Sequence, residues 1–387
     1  MSLELPPPAT LAPVAFYVHH HGSGHATRCK QLIACWPTEA PIHVFTSAEK
    51  YFAGWDGGTV HLLPADTEDG RDPAGDMVEN KVVHYAPINL PGLSRRMAYL
   101  AGWIAEHQPA LFVVDLSVEV ALFTRLCGVR TAVVRLNGKR TDPAHVGAYQ
   151  LADEVLAPFP ACMEDEHTEP WLRDKTTYLG LFSRYDERKL AVEDARALVG
   201  HSGDRPLVLV VNGSGGADQA VDYWEEVARA NPNYDWMLLG RIDAETTELG
   251  NLRVVGYVAD TFPYLRAADI VVGSGGTNTM SEIGAAGGRY LSLPEPRPYS
   301  EQYFKMRALE RYGLTRAINA RPAPGEWTKW LRRAGDLQPY RWRKLRSSTR
   351  FCDAVEGLAE RCYREDARLD RAVEGGSVLD LQAASEN

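Results

Sequence analysis

The sequence predicts an α/β protein built from two doubly wound parallel sheets. Short β-branched runs alternate with longer amphipathic stretches; the alternation lapses near residue 183 and restarts near 205; and several runs end in Gly/Ser/Thr turns that open a helix. In the first half, VAFYV (14–18), IHVFTS (42–47), LFVVD (111–115), TAVVRL (131–136) and EVLAPF (154–159) read as strands. HATRCKQLIACW (25–36), LSRRMAYLAGWIAEH (93–107) and EVALFTRLCG (119–128) carry apolar residues at helical spacing.

The second half repeats the pattern. PLVLVVNG (206–213), DWMLLG (235–240), LRVVGYV (252–258), DIVVG (269–273) and RYLSLP (289–294) read as strands. ADQAVDYWEEVARANP (217–232) reads as a helix, with further helices after DIVVG and near 300–312 and 326–334. The polar stretch 183–204 is the expected linker between a domain at 1–182 and one at 205–340. Residues 341–364 read as a late helix packing back toward the first domain, and the polar stretch 365–387 as a flexible tail.

Composition narrows the functional classes. A chain of 387 residues exceeds what one core usually serves. A hydrophobic fraction of 45% with 24% charged residues is that of a globular protein, and a net charge of −9 argues against general nucleic-acid binding. The six cysteines show no metal-ligand spacing, so a reduced, cytoplasmic setting is expected, with peripheral membrane contact still open. The opening MSLELPPPATLAP lacks the basic start and apolar run of a signal peptide and reads as a flexible leader.

The stretch DIVVGSGGTNTMSEIGAAG, Asp269 to Gly287, carries the strongest chemical signal. A helix start presents free N–H groups and the positive end of its dipole, which suits a diphosphate, and small residues let phosphate approach the backbone. Glu282, in the second turn, can accept hydrogen bonds from ribose hydroxyls. In open α/β sheets ligands collect beyond the carboxyl ends of strands. Other such ends carry Gly22-Ser23-Gly24 followed by His25 and Arg28, then Asp115, then Ser214-Gly215-Gly216. Thr27 stands where a dinucleotide-binding G-x-G-x-x-G would have its third glycine, and no P-loop GK[ST] occurs.

In this order, GSGG, VGYV, GSGGTNTMSEIGAAG and PEPRPYSEQYFKM over about 206–312, with GSGH at 22–25, resemble GT-B glycosyltransferases and specifically family 28, which includes MurG and the plant galactolipid synthases. The resemblance implies two Rossmann-like domains whose parallel sheets face an interdomain cleft. It also implies an inverting hexosyl transfer from a nucleoside-diphosphate sugar, most often UDP-linked, to a hydroxyl acceptor, with no cofactor.

Carried over position by position, it puts Ser214, Gly215 and Gly216 at the diphosphate, Gly256 and Tyr257 at the base, Ser274, Gly275, Gly276 and Thr277 at phosphate, Glu282 at the ribose, and Glu301 and Gln302 at the donor sugar. Glu301 and Gln302 can equally form a solvated helix start. His25 is the candidate general base, kept neutral by its helix N-terminus, with Asp115 orienting the ring. Alternatively His25 only caps the helix and binds the acceptor, and Asp115 only caps its strand end.

Gly22, Ser23, Gly24, Arg28 and Arg135 are acceptor-side candidates. With Lys139 and Arg140 of RLNGKR, these arginines either meet an anionic acceptor or sit on a solvated rim, the second being favoured. No Asp-x-Asp metal site follows a strand, and EDE at 164–166 reads as a solvated face, so a metal-free leaving group held by helix starts is expected. MurG-type enzymes carry further glycine-rich turns in the first domain, whereas the equivalent segment here is DLSVEV, so transfer to a lipid-linked diphosphate is not implied. A UDP-sugar 2-epimerase of the same architecture and a non-catalytic sugar-nucleotide-binding subunit are the competing readings.

Overall fold

The computed structural model describes residues 11–20, 23–37, 40–66, 82–212, 221–240, 249–346 and 348–375. In the first half, strands β1 (Val14–Val18), β2 (Ile42–Thr46), β3 (Thr59–Leu62), β4 (Leu111–Asp115), β5 (Thr131–Val134), β6 (Glu154–Ala157) and β7 (Thr176–Tyr178) form a sheet in the order β3-β2-β1-β4-β5-β6-β7. Every pairing in it is parallel. Its helices are α1 (Ser23–Ala34), α2 (Pro91–His107), α3 (Val118–Leu126), α4 (Pro143–Leu151) and α5 (Pro170–Lys175).

After α6 (Val192–Leu198), strands β8 (Leu207–Val211), β9 (Asp235–Leu239), β10 (Leu252–Gly256), β11 (Ile270–Gly273), β12 (Tyr290–Ser292) and β13 (Thr315–Ala317) form a second parallel sheet in the order β10-β9-β8-β11-β12-β13. Helices α7 (Val221–Ala230), α8 (Phe262–Ala267), α9 (Thr277–Ala286), α10 (Glu301–Arg311) and α11 (Trp327–Ala334) cover it, and α12 (Trp342–Leu345) and α13 (Ser348–Gly375) close the described chain.

Both faces of each sheet are buried, which is why the central strands read as unbroken apolar runs rather than alternating ones. Val14, Phe16 and Val18 of β1 pack with α1 and with Phe351, Val355 and Leu358 of α13; Ala15 and Tyr17 face α2, α3 and α4. In the second half Leu207, Leu209 and Val211 of β8 pack with α8, α9 and α10, while Val208 and Val210 face α7 and α11. Residue parity along one strand thus decides which helix layer each side chain joins.

Several elements depart from the sequence-based expectation. Short strands β3, β7 and β13 and helices α4, α5 and α8 were not expected, because strands of three or four residues and helices of six to nine carry too little periodicity to read. The segment 183–204 is no loose linker: it contains α6, and Tyr185, Ala195 and Val199 join the core of the second half. Helix α13 runs on to Gly375, beyond the expected onset of a flexible tail. Between the halves the chain crosses twice side by side, with the Leu181 N–H donating to the Leu345 carbonyl at 3.1 Å and Arg346 paired to Asp186.

The expectation of fully reduced cysteines is also corrected. Cys35, just past α1, is joined by a disulfide to Cys352 on α13, with Cα atoms 5.0 Å apart. The bridge ties the last helix to the helix that carries His25 across a sequence separation of 317 residues. Closing so long a loop removes much freedom from the unfolded chain, and stabilises by roughly 2–4 kcal/mol. A reductant is therefore expected to lower the Tm of the wild-type chain, while a Cys352→Ser variant starts lower and does not respond; equal responses from both would show that the bridge carries no stability.

Candidate functional site

The order of each sheet marks one place where strand order reverses, between β1 and β4 and between β8 and β11. Crossovers leave these neighbours to opposite faces: α1 follows β1 on one face and α3 follows β4 on the other, and α7 and α9 diverge in the same way after β8 and β11. A crevice opens at the carboxyl ends there, the usual ligand position of doubly wound sheets. In the first sheet it is lined by His25 at the start of α1 and Asp115 at the end of β4. In the second it is lined by Ser274, Gly275 and the start of α9.

The two helix starts approach each other. A Cβ added to Gly24 would lie 3.9 Å from Asn278 Nδ2 in the first turn of α9. His25 Nδ1 stands 3.2 Å from Asp115 Oδ1, the two side chains only 14% and 6% exposed. Arg28, one turn further along α1, donates from Nε to Asp115 Oδ2 at 3.1 Å and from a terminal nitrogen to Oδ1 at 3.0 Å. That terminal nitrogen also lies 3.1 Å from His25 Nδ1. Nδ1 therefore has two possible partners: as N–H it donates to Asp115 and leaves Nε2 with the lone pair; as acceptor it takes the arginine N–H.

Arg28 is only 4% exposed, so neither a solvated rim nor an open acceptor wall describes it. Burial alone would raise the Asp115 pKa, but the Arg28 charge, His25 and the hydrogen bonds from both outweigh it and hold the carboxyl down at about 2. The turn that delivers Asp115 is strained: Leu116 has φ +75°, a left-handed conformation that costs a non-glycine residue about 1–2 kcal/mol. Ser117 then caps α3 by accepting from the Val120 N–H. Gly22 lies outside the described residues, and Ser23 opens α1 with its carbonyl accepting from the Thr27 hydroxyl.

On the second sheet, Gly276 precedes α9 with no side chain capping the helix start. Gly275 donates its N–H to Gln302 Oε1 at 2.9 Å, and a Cβ there would sit 2.9 Å from the Gln302 Cβ, so this position needs glycine. Gln302 is buried and also accepts from the Glu295 N–H at 2.7 Å; its carbonyl braces the turn. The Ser274 carbonyl accepts from the Tyr290 hydroxyl. Glu282 accepts from Arg184 Nε and from the Thr261 hydroxyl, both at 2.9 Å. Gly256 closes β10 with φ +80° and leaves Tyr257 78% exposed beyond the strand end. Ser214, Gly215 and Gly216 lie outside the described residues.

Glu301 joins the two halves. It accepts from Lys305 at 3.0 Å and pairs with Arg140 of the first half at 3.5 Å. Burial would raise its pKa, but Lys305 and Arg140 bring it below the ordinary value, so a plain solvated helix start does not describe it. Arg140 also lies over the Tyr299 ring at 4.6 Å, and the Lys139 N–H donates to the Tyr299 carbonyl at 3.0 Å. A side chain at Gly138, with φ +112°, would meet that carbonyl at 2.7 Å. Tyr299 and Ser300 both adopt positive φ, so backbone strain sits beside Glu301 as it does beside Asp115.

Arg135 is a correction as well. It is buried and paired in fork geometry with Glu164, whose carboxyl is pulled to about 2 by this arginine and by hydroxyl donors despite its burial. Of the EDE run only Glu166 is a solvated residue; Glu164 and Asp165 are buried. Arg135, Lys139, Arg140, Tyr149, Asp165 and Trp171 line a pocket of about 410 Å³, its open mouth included. The Nε atoms of Arg135 and Arg140 and Oδ2 of Asp165 have no hydrogen-bond partner among the described residues. Sequence reasoning missed Lys305 and Tyr299; the spacing of four between Glu301 and Lys305 on one helix was the available signal for the first. Among the described residues no group of three His, Cys, Asp or Glu side chains is arranged to hold a metal ion, and no helix is long and apolar enough to cross a membrane.

The depressed Asp115 pKa has a definite consequence for stability. A carboxyl whose folded pKa lies below its unfolded value of 3.8 stabilises the fold above about pH 4, and that contribution is lost as pH falls toward 2. Two pKa units correspond to about 2–3 kcal/mol. Acid titration of the wild type should show this loss between pH 4 and 2, and Asp115→Asn should flatten it. The same variant leaves Arg28 charged and buried without its partner, so at neutral pH it should lose about 3–5 kcal/mol in denaturant unfolding.

No protein-family model matches the chain. An uncharacterized glycosyltransferase of Methanosarcina acetivorans is 25% identical over 238 residues, 59% of this chain and 60% of that protein. One of Methanosarcina mazei is 25% identical over 377 residues, 89% of this chain and 95% of that protein. The UDP-N-acetylglucosamine–N-acetylmuramyl-(pentapeptide) pyrophosphoryl-undecaprenol N-acetylglucosamine transferase of Acetivibrio thermocellus is 28% identical over 191 residues, 44% of this chain and only about half, 52%, of that enzyme.

Solved structures match over nearly the whole chain. The glycotransferase of kitacinnamycin superposes with a TM-score of 0.68 at 16% identity, covering 92% of this chain and 99% of that one. MurG of Acinetobacter baumannii gives 0.60 at 11%, covering 91% and 99%. Phytolacca americana UGT2 gives 0.64 at 13%, covering 91% and 100%. The chain has the GT-B fold and, by its relatives, is a glycosyltransferase that resembles family 28.

Proposed function

We propose that the protein transfers a sugar from a nucleoside-diphosphate donor, UDP-linked in the first instance, to a hydroxyl acceptor with inversion at the anomeric carbon and without a metal ion. One observation carries this reading: a buried His25–Asp115 pair at the reversal point of one sheet lies on a helix start that meets the uncapped start of α9 at the reversal point of the other. The base and the anion-binding helix are thereby set on opposite walls of one cleft. A UDP donor is supported by the name of the Acetivibrio relative and by the Phytolacca enzyme's complex with UDP-2-fluoro-glucose.

In the reaction, the Nε2 lone pair of His25 takes the proton of the acceptor hydroxyl as its oxygen forms a bond to the anomeric carbon. The bond from that carbon to the diphosphate oxygen breaks, and its electron pair leaves with the nucleoside diphosphate. Asp115 accepts from Nδ1–H, fixing the tautomer and the plane of the ring, and Arg28 fixes Asp115. Charge that develops on the leaving oxygens falls to the N–H groups of α9, a stabilisation that works best in a site closed from water. Glu282 takes the ribose, Glu301 the donor sugar, and the pocket side lined by Lys139, Arg140 and Trp171 is the acceptor wall.

With a donor that gives turnover, His25→Gln should lower kcat by about 10²- to 10⁴-fold with nucleotide affinity unchanged. Asp115→Asn should lower it as well, in protein shown by its unfolding curve to be folded. Turnover left intact in both would remove the dyad from the mechanism. Activity should persist in excess chelator; complete loss, restored by magnesium or manganese, would reject the metal-free reading. Release of an altered UDP-sugar from donor alone would favour the epimerase instead.

A further inference from the structure

We infer that Lys305 is the internal counter-charge of the donor diphosphate, a positioning residue that acts through Thr277 and Glu301 rather than by touching the ligand. This rests on the donor reading above. Lys305 is 1% exposed. An ammonium has three donors, and all three are directed at the anion-binding turn and its neighbour: the Gly275 carbonyl at 3.2 Å, the Thr277 hydroxyl at 2.7 Å and Glu301 Oε1 at 3.0 Å. Burying a charge is costly unless it is paired. Here the carboxylate is shared with Arg140, so Lys305 does not hold Glu301 alone.

The Lys305 ammonium lies directly behind the start of α9. Thr277 is the first residue of the helix, and its oxygen is occupied as an acceptor by Lys305. The hydroxyl proton is thereby turned away from the lysine and is available to an oxygen at the helix start. Lys305 also holds the Gly275 carbonyl back from the cleft, where it would otherwise present a negative end to an anion. The cation strengthens the local field at the place where two phosphates bring their charge, and it pins Glu301 for the sugar that follows.

The test is calorimetric binding of UDP and of uridine to the full chain. Lys305→Gln should weaken UDP by on the order of tenfold or more while uridine is unchanged, and should flatten the salt dependence of UDP binding. Lys305→Arg, which keeps the charge, should recover much of the loss. Because removing one member of a buried pair can unfold the chain, the Glu301→Gln/Lys305→Met double variant, compared with Glu301→Gln alone, gives the same reading with no orphaned carboxylate. UDP affinity unchanged in a folded variant, or equal losses for UDP and uridine, would overturn the inference and leave the donor reading standing. Failure of the wild type to bind UDP, GDP or dTDP would overturn both.

Discussion

The site depends on a topological constraint before it depends on any side chain. Parallel strands must be joined by crossovers, and these take one hand. A sheet that grows outward in both directions from β1 and β4 therefore sends its helices to opposite faces and leaves a crevice between the two strands. The second sheet repeats the arrangement at β8 and β11. Neither crevice alone carries both the His25–Asp115 pair and the start of α9. With α1 and α9 start to start, and Tyr299 of one half seated against Gly138 and Arg140 of the other, the two crevices become one cleft.

Around this cleft, three carboxylates are held by basic partners. Asp115 has Arg28, Glu164 has Arg135, and Glu301 has Lys305 and Arg140, all largely buried. A buried carboxylate without such a partner would take up a proton, so the arginines and the lysine keep these groups ionised and in fixed geometry. The backbone shows the same expenditure on position. Leu116, Tyr299 and Ser300 hold left-handed angles immediately beside Asp115 and Glu301, a conformation that survives only where surrounding packing dictates it.

What the sequence revealed follows from how local each signal is. The central strands and long helices were legible, because burial on both faces writes an apolar run and a helical face writes a repeat. His25, Asp115 and the Ser274–Thr277 turn were legible as strand-end residues, since a doubly wound fold gives such residues a location. The partners were not. Arg28 sits three residues from His25 in an exposed-looking, charged stretch, and only the return of β4, 87 residues later, shows that a buried carboxylate awaits it. Arg135 was misread for the same reason, with Glu164 29 residues away. The Cys35–Cys352 bridge was hidden because no spacing rule pairs cysteines from opposite ends of a chain.

The position of Arg28 shapes the proposed chemistry. A carboxylate beside a histidine helps a base in two ways, by fixing the ring and by stabilising the imidazolium that forms. Here Arg28 already takes both oxygens of Asp115, and its guanidinium lies 3.1 Å from the same ring nitrogen. Orientation survives such neutralisation; much of the charge stabilisation does not. Less help on the side of the base shifts the demand to the leaving group, whose developing charge must be met on the opposite wall. That wall holds the uncapped start of α9 with the buried Lys305 ammonium beside it. In the proposed reaction the two walls are thus unequal: the first places the acceptor oxygen and removes its proton, and the second supplies most of the electrostatic work of departure.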